Sequence, residues 1–564
     1  MMEPFERIDI QDLPLRVPSV RRKVEDFLGS NGLRLEEVDL YKAILDGDGR
    51  ILAGGGLSRD IIKCIAVTEE ARSAGLSAPL ISQLISEAAQ RGFTNVKVFT
   101  KPENRTVFES LGFRLLAIAP KAILLENGQG LDAYCRYLRS HPAQGVIVMN
   151  ANPFTLGHQY LLEQAAVALS GDIHSSTPLS VRWEESRRIT VIPVKEDRSR
   201  FPYFGRLEMI RRGCEGLVDV VDGSDYQISA ATFPTYFLKD LSDAAETQMR
   251  LDLDLFGRHI APALGAKVRF VGTEPDDPLT ARYNALMKEM LPSYGVQVVE
   301  VPRLTDAEGA VSASRVRACL ANGEYKAAAA LTPPSTHPYL KTYLAVRALR
   351  SELDTPLKPG LVGPDGNGSH RDMDYDLMLR GIDAIRPFFP RMAQAISPEE
   401  LRQLGIDAEK AMLAATGGVN THRGAIFALA LALYPHDIAE TAALLDDGRS
   451  KQREGIRGAM QMARGGYPEL FDNWLPYYQA RKWLPHGKQK TLLRIMSELD
   501  DTCVIRRVGY DRAQEVKHEA KSLLQDFSEE RLLEMCTRYA AEGISPGGAA
   551  DMLALTIFMD SIDN

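Results

Sequence analysis

Residues 146–166 read VIVMNANPFTLGHQYLLEQAA. The opening run is apolar without alternation, as in a strand buried on both faces, and from Leu156 onward the spacing suits an amphipathic helix. Asn152, Pro153, Phe154, Thr155, Gly157 and His158 occupy the passage from strand into helix. In an open parallel sheet that passage lies beyond the carboxyl ends of the strands, where free N–H groups and the positive helix end favour phosphate. Gly157 lets backbone and phosphate approach closely. His158 can donate to phosphate oxygens and stabilise charge developing on an α-phosphate during in-line attack. Taken alone, the same histidine reads equally as a helix cap or a satisfied core residue.

Working outward, GVIVMN (145–150), ITVIPV (189–194) and AKVRFVG (266–272) are separated by helical patterns. That order predicts a Rossmann-like parallel α/β domain over 141–338. Upstream, YKAIL, IIKCIAV and NVKVF read as strands and LSAPLISQLISEAAQRG as a helix, so 1–140 is expected to be a compact α+β domain. TPPSTHP at 332–338 is dense in Pro, Ser and Thr, and strand patterns cease after it. Met378, Ile382, Ile385 and Phe389 then share one helix face, and 339–564 is expected to be all-α. The expected fold is therefore multidomain, α/β plus all-α.

With 564 residues, 45% of them hydrophobic, the chain has apolar material for several cores. A net charge of −8 gives no general basic footprint, so small ligands are expected rather than nucleic acid. GAIFALALALY at 424–434 is too short to span a bilayer, and MMEPFERIDIQDLP lacks the apolar run of a signal peptide. Six cysteines without CxxC spacing argue against a zinc site or a disulfide framework. A cytoplasmic location is the expectation.

Far downstream, VSASRVRACL (311–320) sets Ser312 and Ser314 at another helix start with Arg317 one turn on, a hydroxyl-plus-guanidinium anion cradle. By itself this pattern is mostly helix capping. Together and in this order, NPFTLGH and VSASRVR resemble the nucleotidyltransferase superfamily. VKEDRSRFPYFGRL (194–207), ATFPTYFLK (231–239) and FVGTEPDDPLTARYN (270–284) extend the likeness to the acetate-activating citrate lyase ligase family over about residues 1–340. The resemblance implies that ATP and acetate give acetyl-adenylate and pyrophosphate. The acetyl group then passes to the prosthetic-group thiol of the citrate lyase acyl carrier subunit. It implies further that Thr155 and His158 engage the triphosphate, with Asn152, Pro153, Phe154, Gly157, Gly272 and Ser312 around the nucleotide. Lys195 and Arg206 would neutralise the phosphates, although a solvated charged loop explains these two as well. Ser314 and Arg317 would hold the far end, and Glu274 and Asn284 would shape the nucleotide or acyl pocket. SGDIHSSTPLSVRWEESRR (170–188) is longer than the family needs and is expected to be a surface loop.

TEEARSAGLSAPLISQLI (68–85), with Arg72, Gly75 and Ser77, resembles the pyrophosphate-cradling turn of GNAT acyltransferases. ENRTVFESLGF (103–113), with Asn104, resembles the closing segment of that fold. Phe108 stands where many such enzymes carry a tyrosine that protonates the leaving thiolate. Two readings of this domain follow: it grips the coenzyme A-like arm of the carrier through Arg72, Gly75, Ser77 and Asn104, or it is a structural cap.

In the last domain, LKPGLVGPDGNGSHRDMD (357–374), ATGGVNTHRGAIFALALAL (415–433) and ISPGGAADMLALTIF (544–558) resemble the triphosphoribosyl-dephospho-coenzyme A synthase family. That implies transfer of the triphosphoribosyl group of ATP to dephospho-coenzyme A with release of adenine. Lys358, His370 and Arg371 would contact phosphate, and Asp372 and Asp374 would hold Mg²⁺. Asn420, His422 and Arg423 sit in a glycine-flanked turn, and Gly547 and Gly548 in a tight helix approach. Glu352, Glu409, Asp501 and Asp551 are further acids of the pattern. The chain departs from the family at Gly363 and Pro364, at Met460, Gln461 and Met462, and at Cys503, which removes charges a triphosphate would use.

Three readings result. One is a chain with both activities; another is a ligase whose last domain only binds. The third is an adenylyltransferase with a phosphorylated acceptor, since NPFTLGH alone does not choose the acceptor.

Overall fold

The computed structural model describes residues 9–170, 189–195, 199–228, 233–238, 243–275, 277–446 and 457–563. The long segment expected to form a surface loop lies, from residue 171 to 188, outside them. The chain packs as two compact units, Met1–Asn152 with Gly157–Ala310, and Pro153–Leu156 with Val311–Asn564. The composition change at 332–338 thus falls inside the second unit, whose packing begins at Val311.

The first unit holds two large sheets and a two-stranded hairpin, Thr305–Asp306 with Gly309–Ala310. In the first, strands β1 (Ile10–Asp12), β2 (Leu40–Leu45), β3 (Ile51–Ser58), β4 (Ile61–Val67), β5 (Val96–Thr100), β6 (Arg114–Ala119) and β7 (Ala122–Asn127) lie in the order β1-β2-β3-β4-β5-β7-β6. β4 alternates buried and half-buried positions, the period-2 pattern of a strand with one face in the core. The helix Ser77–Gln90 lays Leu80, Ile81, Leu84 and Ala88 into the core it shares with this sheet. β4 and β5 run parallel but pair only at Ile61 with Lys97 and Ile62 with Val98.

The second sheet is wholly parallel, in the order β10-β9-β8-β11-β12, where β8 is Gly145–Met149, β9 Ile189–Pro193, β10 Asp219–Val220, β11 Val268–Gly272 and β12 Gln297–Val301. β9 is buried at every position, which explains its unbroken apolar run. The strand order reverses between β8 and β11, so the loops after those two strands flank the crevice where open α/β sheets take ligands. The helices Leu156–Ser170, Tyr203–Gly213 and Pro278–Met290 follow β8, β9 and β11.

The second unit is helical, with only an isolated bridge between Gly363 and Gly366 among its described residues. Its axis is the helix Gly547–Asp563, buried along most of its length. That helix packs against His337–Leu353, Arg423–Leu433 and Gly487–Glu498. The apolar stretch at 424–434 is thereby a core helix, as its length implied. No helix among the described residues is long and apolar enough to cross a membrane.

Candidate functional site

At the carboxyl end of β8, Ala151 holds φ +46°, a left-handed conformation that a Cβ disfavours and that surrounding contacts must impose. The Asn152 Oδ1 accepts the Phe201 N–H at 3.1 Å. Arg206, fully buried, donates to Phe201 O at 3.0 Å, to Asn150 O and Asn150 Oδ1 at 2.7 Å each, and to Val194 O at 2.9 Å. Its guanidinium ties the ends of β8 and β9 together and is turned inward, a different placement from the phosphate contact the motif suggested. Lys195 is exposed and lies 3.7 Å from Asp225.

Across the crevice, β11 ends at Gly272, where a side chain would meet open space. Asn284 is buried and donates to Gly272 O at 2.9 Å, fixing the strand end to the following helix. Glu274 pairs with Arg303, and Arg303 also donates to Thr273 O at 2.7 Å. Arg303 belongs to no motif and escaped the sequence reading. Burial, and secondarily the Arg303 charge, lower the His158 pKa to about 4. The imidazole is therefore neutral at physiological pH and able to donate one hydrogen bond.

The second unit carries the other half of the motif set. Pro153, Phe154 and Thr155 are buried, with Phe154 O accepting the Thr336 hydroxyl at 3.0 Å and Leu331 O accepting the Leu156 N–H at 3.0 Å. Ser312 caps the helix Ala313–Asn322, accepting the Arg315 N–H at 3.2 Å. Ser314 is exposed and accepts from Arg317 at 2.8 Å, so the expected hydroxyl-guanidinium couple does form.

In the first sheet, Arg72 and Gly75 are exposed, Gly75 at φ +68°, and Ser77 opens the helix Ser77–Gln90. Asn104 donates to Thr100 Oγ1 at 2.8 Å. Phe108 is core, packed edge-on against Phe113 at 5.4 Å. Where β4 and β5 part, the buried Tyr236 hydroxyl donates to Phe99 O at 3.2 Å. Thr235 N–H donates to Glu36 at 2.6 Å and Phe233 stacks edge-on against Phe99 at 5.6 Å. Residues 233–238 thus occupy the ground between the diverging strands.

The helical unit contains a cleft of about 270 Å³. Glu352 lines it from the helix His337–Leu353, and His370 and Asp372 come from the 357–374 stretch. Asn420, His422 and Arg423 come from 415–433, and Gly547 and Asp551 from 544–558. Arg506 and Arg507, unmarked in the sequence, line it too, as does Cys503. His370 bridges Arg507 at 3.3 Å and Ser545 Oγ at 2.8 Å. Burial and, to a lesser degree, the Lys358 charge lower the His422 pKa to about 4. Gly381 is required beneath this turn, since a Cβ there would lie 2.3 Å from Thr421 Oγ1.

Other expected residues serve the walls. Lys358 is buried and bonds Glu352 Oε1 at 2.5 Å rather than facing outward. Asp501 is buried and accepts from Cys503 N at 2.8 Å and Ala549 N at 2.9 Å, and a Cβ on Gly548 would come 3.1 Å from its carboxyl. Glu409 pairs with Arg423. Asp374 caps the helix Tyr375–Ile385 through Leu377 N at 2.7 Å, and Arg371 is exposed. Among the described residues no group of three or more His, Cys, Asp or Glu converges as a metal site. Mg²⁺ that arrives with a triphosphate needs only one or two carboxylates, and the exposed Asp372 at the cleft fits that part. The departures at Met460, Gln461 and Met462 lie on the helix Ala459–Arg464, outside the cleft lining, with Met462 in the core.

The motif residues thus gather in two places, at the switch point of a parallel sheet beside a neutral histidine and in a helical cleft that sets arginines beside acids. Residues 144–174 and 179–340 match the family described as citrate lyase ligase C-terminal domain, and 341–449 and 437–564 match ATP:dephospho-CoA triphosphoribosyl transferase. A [citrate [pro-3S]-lyase] ligase of Klebsiella pneumoniae is 39% identical over 57% of this chain and 92% of its own length. The Escherichia coli ligase is 38% identical over 57% of this chain and 90% of its own. A protein of Azotobacter vinelandii named for 2-(5''-triphosphoribosyl)-3'-dephosphocoenzyme-A synthase is 36% identical over 39% of this chain and 90% of its own. The chain belongs to the citrate lyase ligase family and, through its last 224 or so residues, to the triphosphoribosyl-dephospho-CoA synthase family.

Proposed function

We propose that this chain matures citrate lyase twice over, activating acetate with ATP in its first part and making the prosthetic-group precursor in its last. In the first reaction an acetate oxygen attacks the α-phosphorus of ATP, pyrophosphate leaves, and the thiol of the citrate lyase acyl carrier takes the acetyl group from acetyl-adenylate. His158 donates from its neutral ring to the phosphoryl oxygens as they gain charge, and Arg303, held by Glu274, adds a fixed positive field. In the second unit, Ser314 and Arg317 form a hydroxyl-guanidinium couple of the kind that suits a phosphate oxygen. The turn that carries the exposed Arg72 and Gly75 receives the coenzyme A-like arm of the carrier; Tyr236 already fills the space between β4 and β5. ATP as substrate and six cysteines that form no disulfide suit the cytoplasm.

In the second reaction a ribose hydroxyl of dephospho-CoA displaces adenine from ATP, which leaves the triphosphoribosyl group attached. The observation that carries this reading is convergence: residues from three stretches, 357–374, 415–433 and 544–558, meet in one cleft that Arg423, Arg506 and Arg507 also line. The binding-only reading rested on lost charges, and the methionines at 460 and 462 lie away from the cleft lining. Acetate-dependent exchange of labelled pyrophosphate into ATP tests the first activity. Exchange that needs a phosphorylated acceptor and ignores acetate refutes it in favour of an adenylyltransferase.

A further inference from the structure

Two carboxylates line the helical cleft in contrasting surroundings. Glu352 has a cation of its own, with Lys358 Nζ at 2.5 Å from Oε1 and 2.9 Å from the Glu352 carbonyl oxygen. Asp551 stands on the helix Gly547–Asp563 and presses against the start of the facing helix. A Cβ built on Gly424 would fall 1.9 Å from Asp551 Oδ2, so the glycine exists to admit this carboxyl. The groups that act on Asp551 are Glu352 and Asp501, both acids, and the Ala425 N–H. Tyr467 and the Cys503 thiol also face it electrostatically. Asp501 is committed to main-chain N–H groups, Lys358 to Glu352, and Arg423 to Glu409. Burial and the two neighbouring acids hold the Asp551 pKa well above the usual carboxylate range.

We propose that Asp551 is the general acid that protonates the departing adenine, and that Glu352 accepts the proton of the attacking hydroxyl. The inference rests on the synthase reading above and assigns its two proton transfers. The C1′–N9 bond of ATP breaks with its electron pair on adenine, and Asp551 supplies a proton to a ring nitrogen of that base. A bond forms between the ribose hydroxyl oxygen of dephospho-CoA and C1′, and the hydroxyl proton moves to Glu352. Return of that proton from Glu352 to Asp551 restores the cleft. The net result carries one proton from hydroxyl to adenine, with no redox partner and no water consumed. Two acids in one site whose environments separate them is the arrangement such a division of labour requires.

The test uses the full chain with ATP, Mg²⁺ and dephospho-CoA, following adenine by chromatography across pH, with dephospho-CoA binding measured in parallel. In the wild type the rate falls at high pH, as the acid loses its proton. Asp551→Asn, nearly isosteric, lowers kcat about 100-fold or more, erases that alkaline limb and leaves dephospho-CoA affinity intact. Glu352→Gln lowers kcat and keeps the limb but moves it to lower pH, because one of the acids that raise Asp551 is gone. An unchanged alkaline limb in Asp551→Asn, or a kcat within a few-fold of wild type, overturns the assignment. Should Asn at 551 prevent folding, the wild type decides alone: a solvent isotope effect on kcat with an alkaline limb supports the assignment, and a pH-independent rate overturns it. A wild type that releases no adenine refutes the synthase reading itself, a different failure from an active enzyme indifferent to Asp551.

Discussion

Lys358→Met offers a quantitative test of the helical unit. The lysine stem and ammonium are 1% exposed and the Glu352 side chain 8%, with 2.5 Å between Nζ and Oε1. Methionine preserves most of the stem's volume and removes the charge. Removing one member of a buried ion pair costs about 3–5 kcal/mol, because the other charge stays buried without compensation. In a unit of this size each kcal/mol moves the melting temperature by about 2–4 °C, so the unfolding transition should fall by roughly 10 °C. The paired variant Lys358→Met with Glu352→Gln should recover a large part of the loss, since it removes the stranded carboxylate. Calorimetric melts of wild type, both single variants and the double variant at pH 7.5 measure the effect. A Lys358→Met protein that melts within about a degree of wild type, or a double variant less stable than the worse single one, refutes the buried-pair account.

His158→Asn should slow acetate-dependent pyrophosphate exchange by about 100-fold or more with folding intact, since it removes a donor aimed at developing charge. Arg303→Met should weaken the same exchange and raise the His158 pKa above about 4, a shift visible by NMR, because the arginine charge helps to keep that imidazole neutral. Both His158 and His422 are lowered from 6.5 to about 4. Their neutral forms are favoured in the folded state, so their contribution is fully present above pH 6.5 and is lost as pH falls toward 4. It amounts to about 3 kcal/mol apiece, and urea midpoints at pH 7 and 4.5 measure it. Gly424→Ala should destabilise the helical unit by about 1–3 kcal/mol and stop adenine release, given the 1.9 Å approach to Asp551.

The features that the residue pattern carried were those with a periodic or positional signature. The unbroken apolar runs of β8 and β9 and the strand-to-helix passage at 152–158 appear where their pattern put them. Side-chain direction and partner choice carry no such signature. Arg206 looked like a free cation in a charged loop, yet its buried guanidinium is taken up by carbonyls that fold back onto it. Asp374 looked like a metal ligand beside Asp372, although an aspartate just before the helix Tyr375–Ile385 is also a cap, and capping is what its carboxylate does. Arg303, Arg506 and Arg507 went unmarked because single arginines at a strand exit or in a last helical turn are common, and only the tertiary fold brings them to a site. The change in composition at 332–338 lies beside the point where the two family matches part, 340 and 341, whereas the residues from Val311 onward already pack with the second unit, which composition does not report.

The central claim, two ATP-consuming reactions in one chain, is met most directly by incubating the purified full chain with ATP, Mg²⁺ and dephospho-CoA and quantifying free adenine. The account predicts adenine formed in equal amount to a triphosphoribosylated dephospho-CoA, and none when dephospho-CoA is withheld. Binding of dephospho-CoA with no adenine released contradicts it and leaves a ligase joined to a binding unit.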